Sequence, residues 1–223
     1  MNHDRRSTRS YLERIEKLID GFDGIRVMVF PPATALQPSI GRVTVGAQNG
    51  YPALKGAYTG EIGPLQMEEF GIDTIMIGHS ERRNLMGESQ SVVAEKFSFY
   101  RERGFEIVYC IGEDLSTREA GEDEVRKALF SQLEGIDTDY DRLIVAYEPI
   151  WAIGTGRSAS VEEIETTHAV LRERLRSPLL YGGSVNGDNI ASITAVENVD
   201  GVLVGSASLD PDGFHSLMGR AEG

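Results

Sequence analysis

The chain holds a single cysteine, Cys110, in 223 residues. That excludes an internal disulfide and any cysteine-cluster metal site. No apolar run reaches the ~18 residues that a membrane helix needs. The opening MNHDRRSTRS is polar and lacks the apolar core of a signal peptide. Cations are in deficit: 22 Lys and Arg stand against 35 Asp and Glu, for a net charge of −13. Such a surface repels phosphodiester backbones and anionic lipid, which argues against nucleic acid and membrane as partners. The signatures GxxxxGK[ST], HExxH and GxSxG and the calcium-binding loop are missing. Gly154-Thr155-Gly156 lacks the spacing of a dinucleotide fingerprint. Nothing calls for a metal or an organic cofactor. The expectation is a soluble cytoplasmic protein.

What is present is an alternation of short apolar strands with amphipathic helices. Strands are predicted at 25–30, 43–48, 74–77, 106–111, 143–147, 179–181 and 202–204. Helices are predicted from a cap at Ser7 or Thr8, then at 65–70, 91–103, 122–133 and 161–176, with a last one after Pro211. A short helical piece is expected around Ala35. In the helix at 91–103, Val92, Val93, Phe97 and Tyr100 are expected to point inward. β-branched strands separated by helices imply parallel strands buried on both faces. No linker of biased composition divides the chain, so one domain over residues 1–223 is expected.

Polar and small residues gather just after the strands: Gln48-Asn49, His79-Ser80-Glu81, Glu148, Gly183-Ser184 and Gly205-Ser206. The C-terminal tips of parallel strands are where such folds place chemistry. At 143–156 an apolar run ends on Glu148, and Pro149 follows at once. Ile150, Trp151, Ala152 and Ile153 then lead into Gly154-Thr155-Gly156. Proline stiffens one end and glycine frees the other, as a lid over a site requires. The same pattern also fits an ordinary strand–loop–helix junction. His79 precedes a helical first turn, which favours the neutral imidazole, a competent proton donor. Gly154, Gly183-Ser184 and Gly205-Ser206 offer backbone N–H groups that suit an anion. His3, His168 and His215 read as structural.

On these residues the chain resembles the triosephosphate isomerases along nearly its whole length, and most of all their compact bacterial form. The matching blocks are Gly46-Ala47-Gln48-Asn49, Gly56-Ala57-Tyr58-Thr59-Gly60-Glu61 and Gly78-His79-Ser80-Glu81-Arg82-Arg83. Further along they are Tyr109-Cys110-Ile111-Gly112-Glu113, Ala146 through Gly156, Tyr181-Gly182-Gly183-Ser184-Val185-Asn186 and Asp200-Gly201-Val202-Leu203-Val204-Gly205. The resemblance implies an α/β fold of the TIM (β/α)8 barrel type. It also implies interconversion of dihydroxyacetone phosphate and D-glyceraldehyde 3-phosphate, a reaction of glycolysis and gluconeogenesis. Glu148 is then the base, His79 the neutral electrophile, and Glu81 the support of an active-site lysine. The lid runs from Pro149 to Gly156, with the Gly154 N–H on the phosphate. Ser184, Gly183, Gly205 and Ser206 complete the phosphate site, where Ser206 replaces a usual glycine. Cys110 takes a packing role. Thr59 sits at the tip of an arm that docks into a partner, so a homodimer is implied.

The start departs from the family. There a first strand ends in Asn-x-Lys-Met-Asn, and Met1-Asn2 matches the residues after its catalytic lysine. The expectation is a barrel whose first strand and lysine lie outside this chain, with unpaired edges at 25–30 and 202–204 and low activity. Two alternatives stand beside the isomerase: a non-catalytic barrel, and an isomerase of a longer ketose phosphate.

Overall fold

The computed structural model describes residues 2–153 and 157–221. Its strands are β1 (Val27–Val29), β2 (Val43–Val45), β3 (Thr74–Ile77), β4 (Glu106–Ile111), β5 (Leu143–Tyr147), β6 (Leu179–Tyr181) and β7 (Gly201–Val202). All neighbours pair in parallel, β1 with β2 and then β3 through β7 in sequence order. A parallel bridge from Ala47 to Ile75 joins the two sets. Among the described residues no strand covers the outer edge of β1 or of β7. Between these edges lies a cleft of about 2260 Å³ that runs up to the C-terminal tips.

The two-residue period of a strand sorts the core into two layers. On β4 and β5, Ile107, Tyr109, Ile111, Leu143, Val145 and Tyr147 pack outward into the cluster shared with the helices. Val108, Cys110, Ile144 and Ala146 point inward and join Met76 in a small inner cluster. Met28, Phe30, Leu180 and Leu203 pack against that inner cluster. The parity of 144 and 146 carries on to Glu148, which therefore turns inward at the strand tip.

The longer helices are α1 (Arg5–Leu18), α4 (Gln90–Arg101), α6 (Glu122–Ser131), α7 (Val161–Arg172) and α9 (Pro211–Ala221). Short helices α2 (Pro64–Glu68), α3 (Ser80–Asn84), α5 (Leu115–Glu119) and α8 (Ile190–Thr194) fill the connections. The sequence reading missed α5 and α8. It also placed the first cap too late: Asp4 caps α1, accepting from the Ser7 N–H, while the Ser7 side chain reaches back to the Asp4 backbone. On α4, Val92 is exposed, and the buried face is Val93, Lys96, Phe97 and Tyr100. Lys96 is tolerated there because its ammonium meets Glu88, and Asn49 Oδ1 at 2.8 Å. No helix is long and apolar enough to cross a membrane among the described residues.

Candidate active site

Glu148 leaves β5 with its N–H donating to the Ile111 carbonyl at 2.7 Å. The chain passes so close to the tip of β4 that a Cβ on Gly112 would lie 1.8 Å from the Glu148 carbonyl oxygen. Only glycine fits there. The Glu148 side chain is 2 % exposed. Its carboxylate accepts from the Ser80 N–H at 2.9 Å and the Ser80 hydroxyl at 3.2 Å. His79 Nε2 lies 3.0 Å from Glu148 Oε1. Burial raises the pKa of Glu148; the contacts from His79, Ser80 and Cys110 pull the other way without cancelling it.

His79 reaches this position through Gly78, whose φ of 79° turns the chain out of β3. His79 caps α3, and its Nδ1 accepts the backbone N–H of Glu81 at 3.2 Å. A nitrogen that accepts carries no proton. The imidazole is therefore neutral, with its proton on Nε2, directed at Glu148. Glu81 is exposed in the first turn of α3 and lines the same cleft.

After Glu148, Pro149 opens a 3-10 turn at Ile150–Ala152. Gly154, Thr155 and Gly156 lie outside the described residues. The turn is moored at both ends. Ile150 N–H donates to the Glu113 carbonyl at 3.0 Å, and the Trp151 indole N–H to Glu113 Oε1 at 2.8 Å. Ser184 Oγ donates to the Ala152 carbonyl at 2.5 Å. Glu113 is itself buried, and its Oε1 also accepts from Tyr147 OH at 3.0 Å and from Arg118 Nη2 at 2.6 Å. Burial and the Glu113 charge push the Tyr147 phenol well above its ordinary range, so it stays a donor.

Gly183, Ser184, Gly205 and Ser206 border the cleft with His79, Glu148 and Ile153. A Cβ on Gly183 would meet Tyr181 Oη at 2.2 Å and Pro149 Cγ at 2.9 Å. At Gly205 nothing lies within 4 Å of an added Cβ, so that position opens toward the cleft. Ser206, itself exposed, starts a 3-10 turn. Among the described residues no lysine lines the cleft. Thr59 stands apart, exposed on the loop between β2 and α2.

Cys110 is buried behind the Glu148 carboxylate, and burial, with that negative charge beside it, pushes its thiol far up. It is an inert packing group. His168 is buried against Tyr147 and Tyr181, with Nδ1 3.1 Å from the Asn198 carbonyl; burial pushes its pKa down to about 4. It faces away from the cleft. The sequence reading assigned no part to Ser80 or Glu113. Both sit directly at strand tips, and the rule that singled out Glu148, a polar residue just past an apolar strand, reaches them too.

The family pattern described as Triosephosphate isomerase matches residues 1–221. A triosephosphate isomerase from a Sulfurovum species is 58 % identical over 219 residues, covering 98 % of this chain and 96 % of that protein. One from Wolinella succinogenes is 55 % identical over 220 residues, covering 97 % and 95 %. One from Helicobacter pylori is 50 % identical over 214 residues, covering 95 % and 92 %. The match begins at residue 1, and the expected loss of a first strand finds no support in it.

Proposed function

The chain belongs to the triosephosphate isomerase family, and on that premise we propose that it interconverts dihydroxyacetone phosphate and D-glyceraldehyde 3-phosphate. The observation that carries this reading is the pairing of a 2 % exposed carboxylate with a neutral imidazole at 3.0 Å. Glu148 takes a proton from the carbon next to the carbonyl. The electron pair left on that carbon moves into an enediolate. His79 Nε2–H hydrogen-bonds the oxygen where negative charge collects, and it passes protons between the two oxygens. Glu148 then returns its proton to the neighbouring carbon. Nothing is oxidised or reduced overall, so no cofactor enters.

In the structure the Glu148 carboxylate rests on Ser80, so it swings off that residue to reach substrate. The phosphate is held by backbone N–H groups at Gly183-Ser184, Gly205-Ser206 and Gly154, because dipoles can hold a dianion in a chain of net charge −13. Closure of 149–156 expels water and strengthens each of these interactions. By the resemblance Glu81, which lines the cleft, supports an active-site lysine.

The exposed apolar side chains Leu54, Tyr58, Leu85 and Met86 support a homodimer, with Thr59 reaching the partner's site.

A coupled assay for both directions of the isomerisation tests the reading. Turnover in both directions is expected, and its loss in Glu148→Gln. No turnover by the wild-type protein would contradict the proposal.

A further inference from the structure

Arg83 lies in α3, one turn beyond His79, and its guanidinium folds back beneath the start of its own helix. Nε donates to the Gly78 carbonyl at 2.8 Å. Nη2 donates to Tyr109 OH at 3.1 Å and to the Cys110 carbonyl at 3.3 Å. Nη1 donates to Gln90 Oε1 at 2.9 Å. One planar fork thus holds the last carbonyl before His79, a carbonyl and a phenol on β4, and the first turn of α4.

These attachments are selective. Gly78 is the hinge from β3 into α3, at a φ of 79°. A Cβ there would sit 2.9 Å from Arg83 Nη2, 3.0 Å from the Cys110 carbonyl oxygen and 3.1 Å from Val93 Cγ1, so a side chain would press on the guanidinium and on β4. Cys110 pairs with Ala146 across β4 and β5, two residues before Glu148. The tip that carries His79 and Ser80 is therefore tied through one side chain to the tip that backs Glu148. The anchor is itself anchored: Tyr109 OH donates to the Gln132 carbonyl at 2.5 Å, and Gln90 Nε2 to the carbonyls of Gln132 and Glu134, both at 2.9 Å. Arg83 touches neither His79 nor the Glu148 carboxylate with its guanidinium and is not a catalytic residue.

We propose that Arg83 is a positioning residue that fixes the spacing of His79, Ser80 and Glu148 by clamping the tips of β3 and β4 together. The proposal rests on the isomerase reading for its kinetic consequence, but its geometric content does not. The groups facing the Glu148 carboxylate are His79 and Ser80 from the β3–α3 junction and Cys110 from β4. If the clamp loosens, the Ser80 N–H and the imidazole recede, and the carboxylate is left with weaker hydrogen bonds to oppose its burial.

The test compares wild type with Arg83→Lys and Arg83→Met. Lysine keeps the charge but offers a point donor in place of a fork, and cannot reach all four acceptors. Methionine keeps much of the volume with no donor. Circular dichroism selects the variants that fold, and Arg83→Lys serves if Arg83→Met does not. In each, ¹³C-carboxyl NMR follows the titration of Glu148, assigned by the signal that disappears in Glu148→Gln, beside steady-state kinetics. The Glu148 midpoint is expected to rise in both variants. The kcat is expected to fall about 100-fold, the scale of a small misplacement, with KM changed by less than about threefold. A folded variant with wild-type midpoint and kcat overturns the proposal, as does a change confined to KM. A wild type without isomerase activity sinks the isomerase reading instead, while the titration still decides the clamp.

Discussion

Ser80 holds Glu148 by two hydrogen bonds, its N–H at 2.9 Å and its hydroxyl at 3.2 Å. A base that rests on such bonds is kept inward and ready, but it must break them to work. Ser80→Ala removes only the hydroxyl. Without that donor the carboxylate is less well stabilised, so the Glu148 pKa rises and the acid limb of kcat/KM moves to higher pH. The N–H remains, so kcat is expected to fall by no more than roughly tenfold, the value of one hydrogen bond to a charged group at the low end of its range. A pH profile of kcat/KM for the variant checks both.

Glu148→Gln separates function from stability. The variant lacks the base, and activity is expected to fall about 10²–10⁴-fold or more. Stability moves the other way. Because burial holds the carboxyl above its ordinary value of 4.5, folding favours the protonated form. Its stabilising contribution is complete below the ordinary carboxylate range and is lost as pH rises through the folded value. At neutral pH Glu148→Gln is therefore expected to melt higher than wild type, by roughly 2–4 °C per kcal/mol of relief, and the difference closes in acid. Thermal melts at several pH values measure it.

Trp151 is the only tryptophan in the chain, so its fluorescence reports the lid directly. Its indole N–H donates to Glu113. Inorganic phosphate is expected to change the emission if the lid closes on an anion. In Glu113→Gln the emission is expected to differ before any ligand is added. That change also strands Arg118, whose side chain is 14 % exposed, without its counter-ion, at a cost of roughly 3–5 kcal/mol. A urea titration followed by circular dichroism checks the second effect.

Two glycines of the phosphate side should respond differently. Gly183→Ala forces a methyl onto Tyr181 Oη and Pro149 and is expected to destabilise the fold by about 1–3 kcal/mol. Gly205→Ala meets nothing within 4 Å and is expected to leave the melting temperature nearly unchanged while raising KM. Melting curves and KM for the pair separate packing from binding.

The strands from β3 to β6 could be read from the sequence because each is a continuous apolar run with a polar or glycine residue at its tip. The parity along β5 that turns Glu148 inward was not legible, because all five strand residues are apolar and buried, and only the two packed layers tell the faces apart. Helices α5 and α8 span five residues each, too few to display a period. Val92 and Val93 fit an apolar stripe equally well, and only the pairing of Lys96 with Glu88 shows which face is inside. The Ser80–Glu148 and Trp151–Glu113 hydrogen bonds join residues 68 and 38 positions apart, and such pairings leave no local pattern. The cap at Asp4 was missed because Ser7 and Thr8 look like caps by residue type, and only the reciprocal Asp4–Ser7 bonds show which residue begins the helix.

The central claim is that Glu148 moves a proton at carbon beside His79. The direct measurement is isomerisation in D₂O followed by ¹H NMR, with the wild-type protein and with Glu148→Gln. The account predicts deuterium at the carbon next to the carbonyl in the unsubstituted enzyme and none beyond background in Glu148→Gln. Deuterium incorporation by Glu148→Gln at the unsubstituted rate would contradict it.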